Sequence, residues 1–305
     1  MSAPLKSTTR FAKVLDLSDP VRNGIVETKA TCPFIGAAVA TGRLPVRNDA
    51  GNPLADVEDV RKLANTGGGD LGDLLVIFAM GNHAFMRGAS GELDQPASEG
   101  LFSLEFPGSQ GSHPGHSGVL QGDPHVLGSG RFSLAEFERL TRRARDGFIK
   151  RSDVGQFIAE NLIRDPQSKV FGSSVAELLA HDLGSFVLTV GPALMERLVG
   201  SQVEATSTNR ILEEKLTKLL GADNLVGSAG EFGLLFAFLA NKPHAKEIDG
   251  EPAISVSDVH VMFVDKRFPD GWENWKKTRA DWVTNTTSLL ISAGKQYLAL
   301  KKELH

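Results

Sequence analysis

Through most of the chain, apolar residues recur at three- and four-residue spacing, the signature of helices that bury one face. The pattern is clearest in FSLAEFERLTRRARDGF, SDVGQFIAENLIRD, SVAELLAHDLGSFVLTV, PALMERLV and TNRILEEKLTKLLGA. It returns in VSDVHVMFVDKRF and in TRADWVTNTTSLLISAGKQYLALKK. Ser133 stands three residues before Glu136, which is capping-box spacing at a helix start. Nearer the N-terminus, Pro33 opens a run of small and apolar residues, and proline suits a first helical turn because the N–H it lacks would have no partner there. A helix is predicted from Pro33 to about Thr41, closed by Gly42 and stopped by Pro45. Helices over Asp56–Asn65 and Leu71–Phe85 follow, parted by Thr66-Gly67-Gly68-Gly69. No stretch alternates apolar and polar positions for long enough to predict a strand. The expected fold is mostly α. No internal repeat and no charged or Ser/Gly linker divides the chain, so one compact helical domain is expected over residues 1–305.

The stretch from Arg87 to Ser129 differs in kind: rich in Gly, Ser, Pro and His, and poor in periodicity. A loop of that length is functional or disordered. Hydrophobic residues make up 41% of the 305, enough for a real core. Lys and Arg number 33 against 37 Asp and Glu, so no basic excess is available to neutralise a phosphate backbone, and nucleic acid is not an expected partner. A single cysteine, Cys32, excludes an intrachain disulfide and any cysteine-built zinc or iron–sulfur site. The longest apolar runs, near Leu74–Met80 and Phe232–Ala240, fall short of the roughly 20 residues that span a bilayer, so no membrane span is expected. The opening thirty residues lack the apolar block of a secretory signal, and an intracellular protein is expected.

Four features carry candidate chemistry. Cys32 sits where a helix begins, and there unpaired amides and the helix dipole favour a thiolate, which lowers the expected pKa. A thiolate is a nucleophile or a metal ligand, and the small residues behind it, Gly36 and Ala37 among them, let a flat ligand approach the backbone. The competing reading is a buried, inert cysteine. Glu231 lies in the otherwise uncharged stretch Gly230 to Phe238; against apolar walls its carboxyl is suited to trading protons near neutrality. The alternative places it in the exposed first turn of a helix beginning near Ser228. His83, His113, His116 and His125 with Asp123 offer nitrogen and oxygen ligands for a non-haem metal, although their spacing matches no compact motif and solvated loop histidines explain them as well. The arginines between Arg139 and Arg151 are interleaved with Glu136, Glu138 and Asp146 and read as a solvated helix face.

Thr31-Cys32-Pro33, followed by Gly42-Arg43-Leu44-Pro45-Val46-Arg47, resembles the opening of the haem-thiolate peroxidases of the chloroperoxidase and unspecific peroxygenase family. There a Cys-Pro precedes a short helix of small residues and a Gly-x-Leu/Ile-Pro turn. Further landmarks follow in the family's order. Leu74 to Gly81 matches an apolar helix, Gln121-Gly122-Asp123 an acidic Glu-x-Asp motif, and Gly230-Glu231 the glutamate heading an apolar helix. Arg267-Phe268-Pro269 matches a terminal turn. The resemblance covers roughly Lys29 to Trp272, with residues 175–223 reading as an insertion.

The resemblance implies that Cys32 is the axial thiolate of a haem b, with Pro33, Gly36 and Ala37 beside the cofactor. A thiolate donates electron density to iron and favours cleavage of the peroxide O–O bond. It implies that Glu231 moves the peroxide proton, and that hydrogen peroxide oxidises or oxygenates a small organic substrate. Phe232 and Phe236 suggest a hydrophobic pocket for it. Two departures matter. Gln121 replaces the family's acidic residue, so a magnesium or manganese site at Gln121, Gly122 and Asp123 beside a haem propionate is weakened. Gly122 stands where short members carry a histidine, which leaves His83 or His125 to partner Glu231. Two other readings stay open: a non-haem metal oxygenase or hydrolase using His113, His116, Asp123 and His125, and a helical binding protein without chemistry.

Overall fold

A computed structural model describes residues 14–28, 32–48, 53–76, 85–87, 92–93, 101–104, 134–164, 225–240 and 245–304. These are mostly helical. The helices are α1 (Asp19–Thr28), α2 (Pro33–Ala40), α3 (Val57–Ala64), α4 (Leu134–Thr141), α5 (Arg151–Arg164), α6 (Leu225–Leu239), α7 (Val256–Phe263) and α8 (Arg279–Glu303). Their ends follow local chemistry. Pro33 opens α2, Thr41 caps its C-terminus, and Gly42 leaves with a φ of 67°. The Asp56 carboxylate accepts the Glu58 amide at 2.8 Å to start α3, and the Thr278 hydroxyl accepts the Asp281 amide at 3.1 Å to start α8.

The long helix α8 packs along both α5 and α6. Phe157, Phe236, Trp282 and Leu289 are fully buried in this layer, each contributing roughly 1.5–3 kcal/mol relative to exposure. Gly233 permits the α6–α8 approach, because a Cβ there would run into the Thr286 side chain. The Trp282 indole donates to the Gly230 carbonyl at 2.9 Å and fixes the height of α6 beside α8.

Two small antiparallel sheets complete the described residues. The first has the order β1 (Arg47–Asn48), β2 (Pro53–Asp56), β5 (Leu101–Ser103), β3 (Phe85–Arg87), β4 (Glu92–Leu93). The second has the order β6 (Phe148–Lys150), β8 (Glu251–Ser255), β7 (Lys246–Ile248), with Ile149 opposite Ile254. Asp249-Gly250 joins β7 to β8 with φ values of 57° and 76°, the positive pair that a two-residue hairpin turn needs.

These strands correct several sequence expectations. The helix expected to reach Phe85 does not, because Phe85 opens β3, although residues 72–76 are helical. Part of the stretch after Arg87 is strand rather than loop. The helix expected over FSLAEFERLTRRARDGF stops at Thr141, and Asp146-Gly147 turns the chain back so that Arg145 and Phe148 exchange hydrogen bonds of 2.8 and 2.9 Å. The arginines there are not all solvated. The Arg139 guanidinium lies 4.1 Å over the Phe157 ring and donates to Glu136 at 2.9 Å and Glu160 at 2.6 Å. Arg143 also binds Glu160, and Arg164 binds Glu136 at 3.0 Å. The carboxylate assigned to a capping box is therefore engaged by arginines. The periodic segments within residues 165–224, including the insertion at 175–223, lie outside the described residues.

One junction ties distant parts together. Lys277 is fully buried, and its Nζ donates to the carbonyls of Trp275 at 2.7 Å and Trp272 at 2.9 Å and to the Thr66 hydroxyl at 3.3 Å. It also sits 3.9 Å over the Trp272 ring. Burial pushes its ammonium down to about 8, against the pull of Glu273. Arg279 adds bonds of 2.7 Å to the Asp70 carbonyl and the Asp73 carboxylate.

Candidate functional site

Cys32 is the N-cap of α2, with extended backbone at φ −64° and ψ 123°, and its carbonyl accepts the first helical bond from Gly36 at 2.7 Å. Only 8% of the residue is exposed. Burial pushes the thiol from 9.0 up to about 11, and the charge of Glu231 adds to that rise. The amides of Ile35 and Phe34 and the charge of Lys266 pull the other way, and they lose. The sequence expectation of a lowered pKa is thus corrected: the helix start does favour the thiolate, but desolvation outweighs it. Without a metal, Cys32 is a thiol at neutral pH. Pro33 is the first residue of α2 and is half-buried, while Gly36 and Ala37 lie buried along the same helix.

Glu231 is not a helix-start residue. α6 begins at Leu225, so Glu231 falls in its interior. From Ser228 to Ala240 it is the only residue that is not buried. Successive helical residues point about 100° apart, so Phe232 faces elsewhere, and its ring meets Phe157 edge-on at 6.4 Å. Phe236 is fully buried. Phe238, two turns beyond Glu231, shares its face of α6 and stacks on Phe34 with centroids 5.2 Å apart.

This contact belongs to an aromatic group that periodicity did not reveal. Phe34 also meets Phe268 at 5.2 Å and Trp272 at 5.6 Å, and Phe268 stacks on Trp272 at 4.4 Å. Arg43 lies 5.5 Å from the Phe268 centroid. The group joins α2, α6 and the segment after α7 within the buried core that also holds Cys32. Lys266 sits on that segment with a φ of 52°, half-buried, its ammonium pushed below its usual range by burial and partly restored by Cys32. The signal that could have found this group is the seven-residue step from Glu231 to Phe238, together with the aromatic pair Phe268 and Trp272 after the terminal turn. The structure therefore brings Cys32, Glu231 and Lys266 into one electrostatic neighbourhood.

His83, His113, His116, Gln121, Gly122, Asp123 and His125 lie outside the described residues. Among the described residues, no group of three or more His, Cys, Asp or Glu side chains is placed to hold a metal ion, and no helix is long and apolar enough to cross a membrane. No protein-family model, curated protein or solved structure matches the chain.

Proposed function

We propose that the chain is a haem-thiolate peroxygenase or peroxidase that uses hydrogen peroxide to oxygenate or oxidise a hydrophobic organic substrate. The observation that carries this reading is the pairing of a buried Cys32, at the N-cap of α2 where the Ile35 and Phe34 amides favour its thiolate, with Glu231 within electrostatic reach on α6. The donor chemistry fits haem iron. A buried thiol with a pKa near 11 is a poor free nucleophile, whereas coordination by a metal deprotonates a thiol outright. Cys32 would hold the iron. Haem b, when bound there, supplies the redox centre at which peroxide is activated, and a thiolate ligand favours O–O cleavage.

The chain's own residues do the rest. A Glu231 carboxylate oxygen accepts the peroxide proton and returns it to the departing oxygen, a transfer worth about 10²–10⁴ in rate. The buried core that holds Cys32 and the aromatic group keeps water from the sulfur. The test is spectroscopic: protein loaded with haem, reduced and exposed to carbon monoxide should show the red-shifted Soret band of a thiolate ligand. Cys32→Ser should lose that band, since a neutral hydroxyl lacks the electron donation of a thiolate. A wild-type protein without the band would overturn the assignment.

A further inference from the structure

We propose that segment 272–278 is a pH-operated latch on the turn 66–70, opened when the buried Lys277 amine takes up a proton and closed when it is neutral. The inference does not rest on the haem-thiolate reading. Two backbone contacts join these distant segments. The Asp70 amide donates to the Lys277 carbonyl at 3.0 Å, and the Arg279 amide donates to the Asp70 carboxylate at 2.7 Å. The approach is so close that a Cβ at Gly67 would strike the Trp275 carbonyl oxygen, and one at Gly69 that of Lys277. Inside the junction the Lys277 amine meets the carbonyls of Trp272 and Trp275 and the Thr66 hydroxyl, whose own proton goes to the Leu63 carbonyl at 2.9 Å. Among the described residues, then, its acceptors are all neutral.

The charged groups around the junction are answered elsewhere. Asp73 takes Arg279 and the α3 residue Arg61, at 2.7 and 2.9 Å, Glu273 takes Arg43 at 3.3 Å, and Asp281 takes the Thr278 hydroxyl. Lys62 and Lys276 are exposed. An enclosed ammonium loses its hydration and gains no bonded carboxylate in return; the Trp272 ring at 3.9 Å offsets part of that loss. The neutral amine fits the same cage, because two hydrogens serve the two carbonyls and the lone pair can take the Thr66 hydroxyl proton. Burial accordingly lowers the group from 10.5 to about 8, with the charge of Glu273 pulling it back. Opening returns the amine to water and to its usual range, so the open form binds the proton more tightly and falling pH favours it. Trp272 travels with the latch. Its buried indole N–H has no hydrogen-bond partner, and its release uncovers the rings of Phe34 and Phe268 against which it packs.

The experiment follows deuterium exchange of single amides by NMR in the full-length protein from pH 7 to pH 9, each rate divided by the intrinsic rate at that pH. In wild type, protection of the Asp70 amide should rise about tenfold over this range and stay below that of Leu289 in the α8 core. Lys277→Met should abolish the rise. Glu273→Gln, a mild change at a half-exposed position, should shift the rise to lower pH, because a charge that favours the ammonium is gone; it decides the matter where K277M does not fold. Protection at Asp70 that is flat in wild type, or that rises in both variants as it does in wild type, overturns the latch. Equal protection at Asp70 and Leu289 also overturns it, since the junction then opens only when the whole chain unfolds.

Discussion

At the scale of the residue, burial rather than helix position governs Cys32. Its folded pKa of about 11 lies above the free value of 9.0, so between these limits the folded chain keeps a proton that the unfolded chain has shed. Stability therefore falls as pH rises from about 9 to 11, by about 2–3 kcal/mol in total. Comparing wild type with Cys32→Ala in urea titrations across that window isolates the effect; the alanine variant should lack this slope. The comparison also cancels Lys277, whose depressed pKa acts with the opposite sign over about 8 to 10.5. For Glu231, replacement by Gln should slow peroxide-driven turnover roughly 10²–10⁴-fold and leave the ferrous–carbonyl spectrum in place. Stopped-flow rates equal to wild type would remove it from the mechanism.

At the scale of the element, the α6–α8 crossing is the tightest demand on sequence. Gly233→Ala would drive a methyl group into Thr286, whose Cα also lies 3.0 Å from that position. The expected cost is about 1–3 kcal/mol, read as a lowered denaturation midpoint, whereas an exposed position such as Leu134 on α4 should tolerate alanine. The crossing also shows what the sequence made legible. The periodicity of TRADWVTNTTSLLISAGKQYLALKK located α8, and the Pro33 and Gly42 punctuation located α2 almost to the residue. The strands stayed hidden because they run only two to five residues, too short for alternation to register. Their turns, Asp146-Gly147 and Asp249-Gly250, did carry the dipeptide that hairpins favour. Cys32 and Glu231 were legible as rare polar groups in apolar surroundings. Lys266 was not, because its charge acts on Cys32 only once segments distant in sequence come together.

At the scale of the whole molecule, the haem-thiolate reading proposed above implies that cofactor and fold stabilise one another. A group bound only by the folded chain adds about 2.7 kcal/mol when present at 100 times its dissociation constant. Haem in excess should therefore raise the thermal midpoint of wild type, and do so less in Cys32→Ser, where the sulfur contribution is gone. Calorimetry with and without haem checks this, and an unchanged wild-type midpoint would count against a resident haem.

The Lys277 junction has a consequence for biosynthesis. Its hydroxyl partner, Thr66, lies 211 positions earlier in the chain, and Phe268 and Trp272, which belong to the same buried core as Cys32, likewise follow it by a long stretch of chain. A ribosome makes Cys32 more than two hundred residues before Phe268 and Trp272, which share its buried core. Until those residues arrive the thiol is uncovered and close to its free pKa, hence far more reactive than in the finished fold. Long-range closure of this kind is slow compared with local helix formation. The nascent chain thus has a prolonged open interval in which the haem proposed above would reach the sulfur before that core closes, and in which electrophiles and oxidants can reach it too. On that proposal loading and damage compete in the same interval, and closure of the core around Cys32 ends both.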